Sequence, residues 1–259
     1  MAWPTDIVPP EGDAEFAAWL AARAGELLLS LRGQRGFGDP AVLRDAGDRD
    51  SHELLTESFA KWRPDDAVLS EEGADDPARL TAERVWIVDP LDGTREYGEP
   101  GRTDWAVHVA LWARGRGLTA GAVALPAQGV VLSTATPPAP TTPPTPAVVR
   151  IATSRTRPPG FLPDVARSLG AELVPMGSAG AKVSAVVQGA VDAYVHAGGQ
   201  YEWDSAAPVA VALATGHYAS RLDGSTLEYN QPDPSLPDLV VCRPELAPRL
   251  LAALGNREK

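Results

Sequence analysis

Apolar residues recur at helical spacing near the start of the chain. Phe16, Trp19, Leu20, Leu27, Leu28 and Leu31 fall on one stripe, which predicts a helix from Asp13, a suitable N-cap, to about Arg32. Gly33 is placed to end it. A second helix is expected to start between Asp48 and Ser51, to turn Leu54, Leu55, Phe59 and Trp62 inward, and to stop at Pro64. These aromatic side chains suit a core better than a ligand box.

The pattern then becomes strand-like. Ala67 to Leu69, Val85 to Val88, Trp105 to Trp112, Leu118 to Leu125 and Val130 to Leu132 are short β runs joined by Gly-rich turns, the signature of an antiparallel meander. Residues 136–147, TPPAPTTPPTPA, hold too much proline for a sheet or helix and read as an extended, solvated loop. Beyond them strands and helices alternate. Strands are expected at 148–152, 171–176 and 193–195, with helices at 161–169, 179–190 and 205–215. The result is an α/β chain of two halves, 1–147 and 148–259.

Composition narrows the partners. The formal net charge is -11, from 23 Lys and Arg against 34 Asp and Glu, which argues against a nucleic-acid backbone. An anionic substrate is still permitted, because a bound metal reverses the local sign. The single cysteine, Cys242, forbids an internal disulfide and reads as a small core residue. MAWPTDIVPPEGD lacks the basic-then-apolar order of a signal peptide. No apolar run approaches the roughly 20 residues that span a bilayer. A soluble, cytoplasmic protein with no membrane partner is expected.

Three segments place acidic residues where a strand ends or a helix begins: Leu69-Ser70-Glu71-Glu72, Val88-Asp89-Pro90-Leu91-Asp92-Gly93-Thr94, and Trp203-Asp204-Ser205. Taken singly, Glu71 and Glu72 fit a solvated loop and Asp204 fits a helix N-cap. The middle segment is harder to explain structurally. Asp89 closes an apolar strand, Pro90 stiffens the turn, and Gly93 lets the backbone approach a ligand. Converging carboxylates repel unless they share protons or bind cations, and hard oxygen donors suit Mg²⁺. Four or five of them suggest more than one ion, the arrangement that clamps both oxygens of a phosphoryl displacement. The amides of Gly93 and Thr94 add donors for phosphate.

The segments LSEE, WIVDPLDGT and WDSAAP, in that order and spacing, resemble the inositol monophosphatase-like superfamily of lithium-sensitive, magnesium-dependent phosphatases. The resemblance covers nearly the whole chain. It implies a layered αβαβα sandwich with the active site between the two halves. It also implies that Glu71, Asp89 and the carbonyl of Leu91 hold one Mg²⁺, that Asp89, Asp92 and Asp204 hold a second, and that Glu71 touches a weaker third. Thr94 and Asp48 would orient and deprotonate the attacking water. Here the family's Thr-x-Ala-Asp segment reads Asp45-Ala46-Gly47-Asp48, two substitutions that alter its surroundings.

Within the family the chain looks closest to members that remove the 3′-phosphate of 3′-phosphoadenosine 5′-phosphate or its sulfated form. An adenosine bisphosphate is therefore the expected small-molecule partner, with Li⁺ inhibition and a monomeric or homodimeric enzyme. Gly177, Ser178 and Lys182 match the segment that serves nucleotide-type relatives, where Lys182 would meet the second phosphate that the metals cannot reach; otherwise Lys182 is a solvated helix lysine. Ser154 and Arg155 either contact the nucleotide or cap the next helix. His52, His108 and His217 read as solvated or core residues. Inositol monophosphate or fructose bisphosphate is the alternative substrate, and a non-catalytic binding protein the distant alternative.

Overall fold

The computed structural model describes residues 8–139 and 148–256. Most of the Pro-rich stretch, 140–147, and the first seven residues lie outside the described residues. Helix α1 runs Asp13–Arg35 and helix α2 Pro40–Trp62. Both differ from the sequence expectation at their ends. Gly12, not Asp13, caps α1, and Asp13 instead accepts two bonds from the Arg84 guanidinium at 2.8 and 2.9 Å. Gly33 stays inside the helix, which ends at Gly36. Helix α2 begins about two turns before Asp48, because Asp39 caps it, accepting from Ala41 and Val42 N–H at 3.1 and 3.2 Å, and Pro40 takes the first turn. Asp48 is thus held in mid-helix.

Strands β1 (Ala67–Ser70), β2 (Arg84–Asp92), β3 (Ala106–Ala113), β4 (Gly117–Leu125) and β5 (Val130–Ser133) form one sheet in sequence order. From β2 to β5 it is the expected antiparallel meander. β1, however, pairs parallel to β2, through a crossover that includes a 3₁₀ turn at Pro77–Thr81. The parallel pairing brings the C-terminal ends of β1 and β2 to the same edge, and with them Glu71 and Asp89.

Strands β6 (Val149–Ser154), β7 (Ala171–Met176), β8 (Ala193–Ala197), β9 (Tyr218–Ser220) and β10 (Asp238–Cys242) form a second sheet, ordered β7-β6-β8-β10-β9. Helices α4 (Leu162–Leu169), α5 (Ala179–Val187), α6 (Glu202–Ala214) and α7 (Ala247–Gly255) accompany it. β9, β10 and α7 are additional to the expected elements, and Cys242 is fully buried in β10.

The pleat of β2 sorts the layers. Trp86 and Val88 face Phe16, Leu20, Leu55 and Phe59 of α1 and α2, while Val85 and Ile87 face the opposite way, toward α5 and α6. α5 and α6 are sandwiched between the sheets, with Ala181, Val186, Ala206 and Ala207 in one core with Tyr194, Leu239 and Val241. α4 and α7 cover the far face of the second sheet. The order is αβαβα. Among the described residues no helix is long and apolar enough to cross a membrane.

One buried bracket ties the crossover to the helical layer. Arg79, 1% exposed, grips Asp75 through two bonds of 2.6 and 3.0 Å and reaches Asn230 Oδ1 at 2.8 Å and the Gln231 carbonyl at 2.9 Å. The Glu202 carboxylate, in the first turn of α6, accepts the N–H groups of Asn230 and Gln231 at 2.6 and 2.7 Å.

Candidate metal centre

Asp89, Asp92 and Asp204 each offer an oxygen within 4.8 Å of the others. Asp89 and Asp92 come from the last residues of β2, where the register against β3 shifts between them. Asp204 comes from α6, which starts three residues earlier than its sequence suggests. It occupies the first turn, with Tyr201 as the cap residue and its own carboxylate accepting the Tyr201 N–H at 2.7 Å. Its second oxygen is left for the cluster. Glu71, just beyond β1, donates its backbone N–H to the Val88 carbonyl, next to Asp89.

The charges of this cluster are unbalanced. Burial raises Asp89 well above the ordinary carboxyl range, and Glu71, Asp92 and Asp204 push it further. Glu71 is raised to about 7 by desolvation and by Asp204, and Asp204 to about 7 by burial and by Asp92. Carboxyls so placed ionise together only beside a cation, and an all-oxygen donor set of this kind fits a hard divalent ion.

Asp92 is the exception. Burial alone would raise it, but His108, Lys182 and Ser178 bring it below the ordinary value. One of its oxygens receives Ser178 Oγ–H at 2.5 Å and Gly180 N–H at 2.7 Å and lies 3.3 Å from His108 Nε2. Ser178 and Gly180 stand at the start of α5, which therefore docks on the strand through this carboxylate. His108 is fully buried; burial opposes its charge, but Asp92 outweighs that and raises its pKa. Sequence reasoning left His108 as a solvated or core residue. The available signal was a lone histidine on the β3 face shared with Ala106 and Ala110, paired in register with Asp89.

Gly180 has no room for a side chain, since a Cβ there would lie 2.0 Å from His108 Nε2. Gly180→Ala must push α5 off Asp92. It is expected to cost about 2 kcal/mol, as overpacked cores do, and lower the melting temperature by about 5 °C. Thermal denaturation beside the wild type checks it; an unshifted transition would show that the contact yields freely.

The remaining site residues fall around this centre. Leu91 N–H bonds Asp89 Oδ1 at 3.0 Å, and its carbonyl accepts from Thr94 Oγ1 at 3.0 Å. Thr94 Oγ1 also lies 3.2 Å from Asp48 Oδ1. Asp48 is pushed up to about 7 by partial burial, with Glu72 adding to the effect. Gly93, at φ 84°, precedes the short helix α3 (Thr94–Tyr97) and passes so close to Ser178 and Asp104 that a side chain would meet both.

Beside the carboxylates opens a cavity of about 190 Å³ whose lining includes Gly93, Thr94, Ser154, Gly177, Ser178 and Lys182. Lys182 is buried rather than solvated, its ammonium donating to the carbonyls of Gly177 and Ser178 at 3.1 and 2.5 Å. Gly177 N–H is held at 2.6 Å by Asp104, which sequence reasoning did not single out. Ser154 Oγ accepts the N–H of Arg157 at 3.1 Å, closing the loop after β6. Arg155 is placed elsewhere. It is bound to Glu96 and Glu99 at 2.5 Å each, and it is not part of the cavity lining.

Comparison with known proteins gives the same picture. The description of the inositol monophosphatase family matches residues 14–259. The chain is 55% identical over 252 residues to the 3′-phosphoadenosine 5′-phosphate phosphatase of Mycobacterium leprae, covering 93% of each chain. It is 30% identical over 243 residues to the 3′(2′),5′-bisphosphate nucleotidase CysQ of Salmonella typhimurium, covering 83% of this chain and 93% of that one. Its fold superposes on inositol monophosphatase II of Staphylococcus aureus with a TM-score of 0.76 at 21% identity, over 92% of this chain and 94% of that one. On sequence and on architecture alike, the chain belongs to the inositol monophosphatase family.

Proposed function

We propose that this chain is a magnesium-dependent phosphatase that hydrolyses the 3′-phosphate of 3′-phosphoadenosine 5′-phosphate, releasing adenosine 5′-phosphate and inorganic phosphate. The observation that carries the reading is similarity over 93% of the chain to a phosphatase of that name, combined with the carboxylate cluster beside the cavity.

Glu71, Asp89 and the Leu91 carbonyl are suited to hold one cation, and Asp89, Asp92 and Asp204 a second. When bound, Mg²⁺ supplies positive charge that polarises the phosphoryl oxygens and acidifies water. The chain's own groups do the rest. Asp92 remains anionic because Ser178, Gly180 and His108 hold its other oxygen. Asp48, raised to about 7, has the affinity of a general base that works near neutral pH, and Thr94 relays it toward the attacking water. Gly93 brings the backbone N–H groups of the turn up to the phosphate. Lys182 adds positive charge next to Asp92 and Asp204.

Phosphate release from 3′-phosphoadenosine 5′-phosphate and from inositol 1-phosphate tests the reading, each with Mg²⁺, with Mg²⁺ plus Li⁺, and with chelator. Release that needs Mg²⁺, falls with Li⁺ and favours the nucleotide is expected. Preference for the inositol ester would replace the substrate, and tight nucleotide binding without release would replace the enzyme with a binding protein.

A further inference from the structure

Three cations line the cavity beside the metal centre, and they are differently engaged. Lys182 spends two of its N–H groups on the Gly177 and Ser178 carbonyls, and its charge bears on Asp92 and Asp204. Arg95 is exposed on α3, directly after Thr94. Arg157, also exposed, sits in the loop after β6, with a guanidinium nitrogen 3.5 Å from where a side chain on Gly199 would begin. Its charge bears on Tyr194 and His196 at the end of β8. Among the described residues no carboxylate stands within ion-pair distance of Arg157.

Arg155 shows the contrast. Two residues earlier, it is neutralised by Glu96 and Glu99 and is not part of the cavity lining. His196 does not compete for an anion either: burial, with Lys182 and Arg157 nearby, pushes its pKa down to about 4 and keeps it uncharged. The wall of the cavity formed by the second sheet thus presents one uncommitted guanidinium, a planar fork that matches phosphate geometry.

We propose that Arg157 binds the second phosphate of the substrate, so that the site selects an organic bisphosphate over a monophosphate; this rests on the phosphatase reading above. Lys182, which the sequence suggested for that role, is instead committed to the end of the cavity where Asp92 and Asp204 stand. A substrate spanning the cavity places its transferring phosphoryl at the carboxylates and its other phosphate at Arg157.

The test compares wild type, Arg157→Met and Arg157→Lys on adenosine 3′,5′-bisphosphate and on adenosine 3′-phosphate, with Mg²⁺. In Arg157→Met the ratio of kcat/KM for the bisphosphate over the monophosphate is expected to fall about thirtyfold, through KM, as loss of a charge-assisted contact dictates. Arg157→Lys, which keeps the charge without the fork, recovers part of it. Inhibition by adenosine 5′-phosphate, which carries only the second phosphate, weakens by a similar factor and reads the contact without turnover. Should the methionine variant not fold, Arg157→Gln replaces it. An unchanged ratio and unchanged inhibition overturn the role of Arg157 and leave the phosphatase reading standing. A wild type that releases phosphate from neither nucleotide overturns the phosphatase reading, and this inference with it.

Discussion

Asp89→Asn is expected to abolish phosphate release while leaving the metal-free protein at least as stable as the wild type. Asp89 serves both proposed cation positions, so one substitution weakens both, and a loss of about a thousandfold or more in kcat is expected. Stability moves the other way. Asp89 is 1% exposed and surrounded by Glu71, Asp92 and Asp204, each of which disfavours its charge. An asparagine there keeps the oxygen that accepts the Leu91 N–H and removes the repulsion. Two measurements separate these outcomes. Turnover should vanish, and the rise in melting temperature that Mg²⁺ gives the wild type should shrink. A variant with wild-type turnover would remove Asp89 from the site.

Without metal, the wild type should gain stability as the medium is acidified from about pH 8 to pH 5. Asp48, Glu71 and Asp204 each stand at about 7 in the folded chain, against ordinary values of 3.8, 4.5 and 3.8. Carboxyls raised by folding bind protons more tightly in the folded state. Their stabilising protonation is complete at low pH and is lost as pH rises through 7. Asp92, whose folded value lies below 3.8, works the opposite way only beneath that pH. Added Mg²⁺ replaces the protons, so its stabilising effect should be small at pH 5 and grow toward pH 8. Melting curves with chelator and with Mg²⁺ across this range give the comparison. A metal-free protein that grows more stable with rising pH would contradict the crowding of these carboxylates.

The residues that announced the site were legible because their chemistry conflicted with their surroundings. Asp89 and Asp92 end a strand that, after Arg84, is otherwise apolar on both faces, and no solvated turn accounts for them. The parallel pairing of β1 with β2 was not legible, because period-two alternation carries no information on strand direction. That pairing is what places Glu71 beside Asp89. The start of α2 was missed for a different reason. Asp39-Pro40 is a good cap and first turn, but Gly36, Gly38 and Gly47 around it dilute the apolar period. The ion pairs of Arg155 were not legible, because a Ser-Arg pair reads the same in sequence whether or not two glutamates lie across from it. Glu96 and Glu99 are more than 50 residues away along the chain, and only the fold brings them there.

The Arg79 bracket bears on how the proposed centre would behave when a cation leaves. Glu71 and Asp204 come from different layers, and mutual repulsion tends to splay them. Arg79 fastens the crossover that follows Glu71 to residues 230 and 231, and Glu202 fastens those residues two positions before Asp204. The two acidic arms therefore share one rigid hinge pin and have little freedom to relax apart. A centre braced in this way would keep its proposed ligands in place between turnovers and need little reorganisation each time a cation and substrate returned.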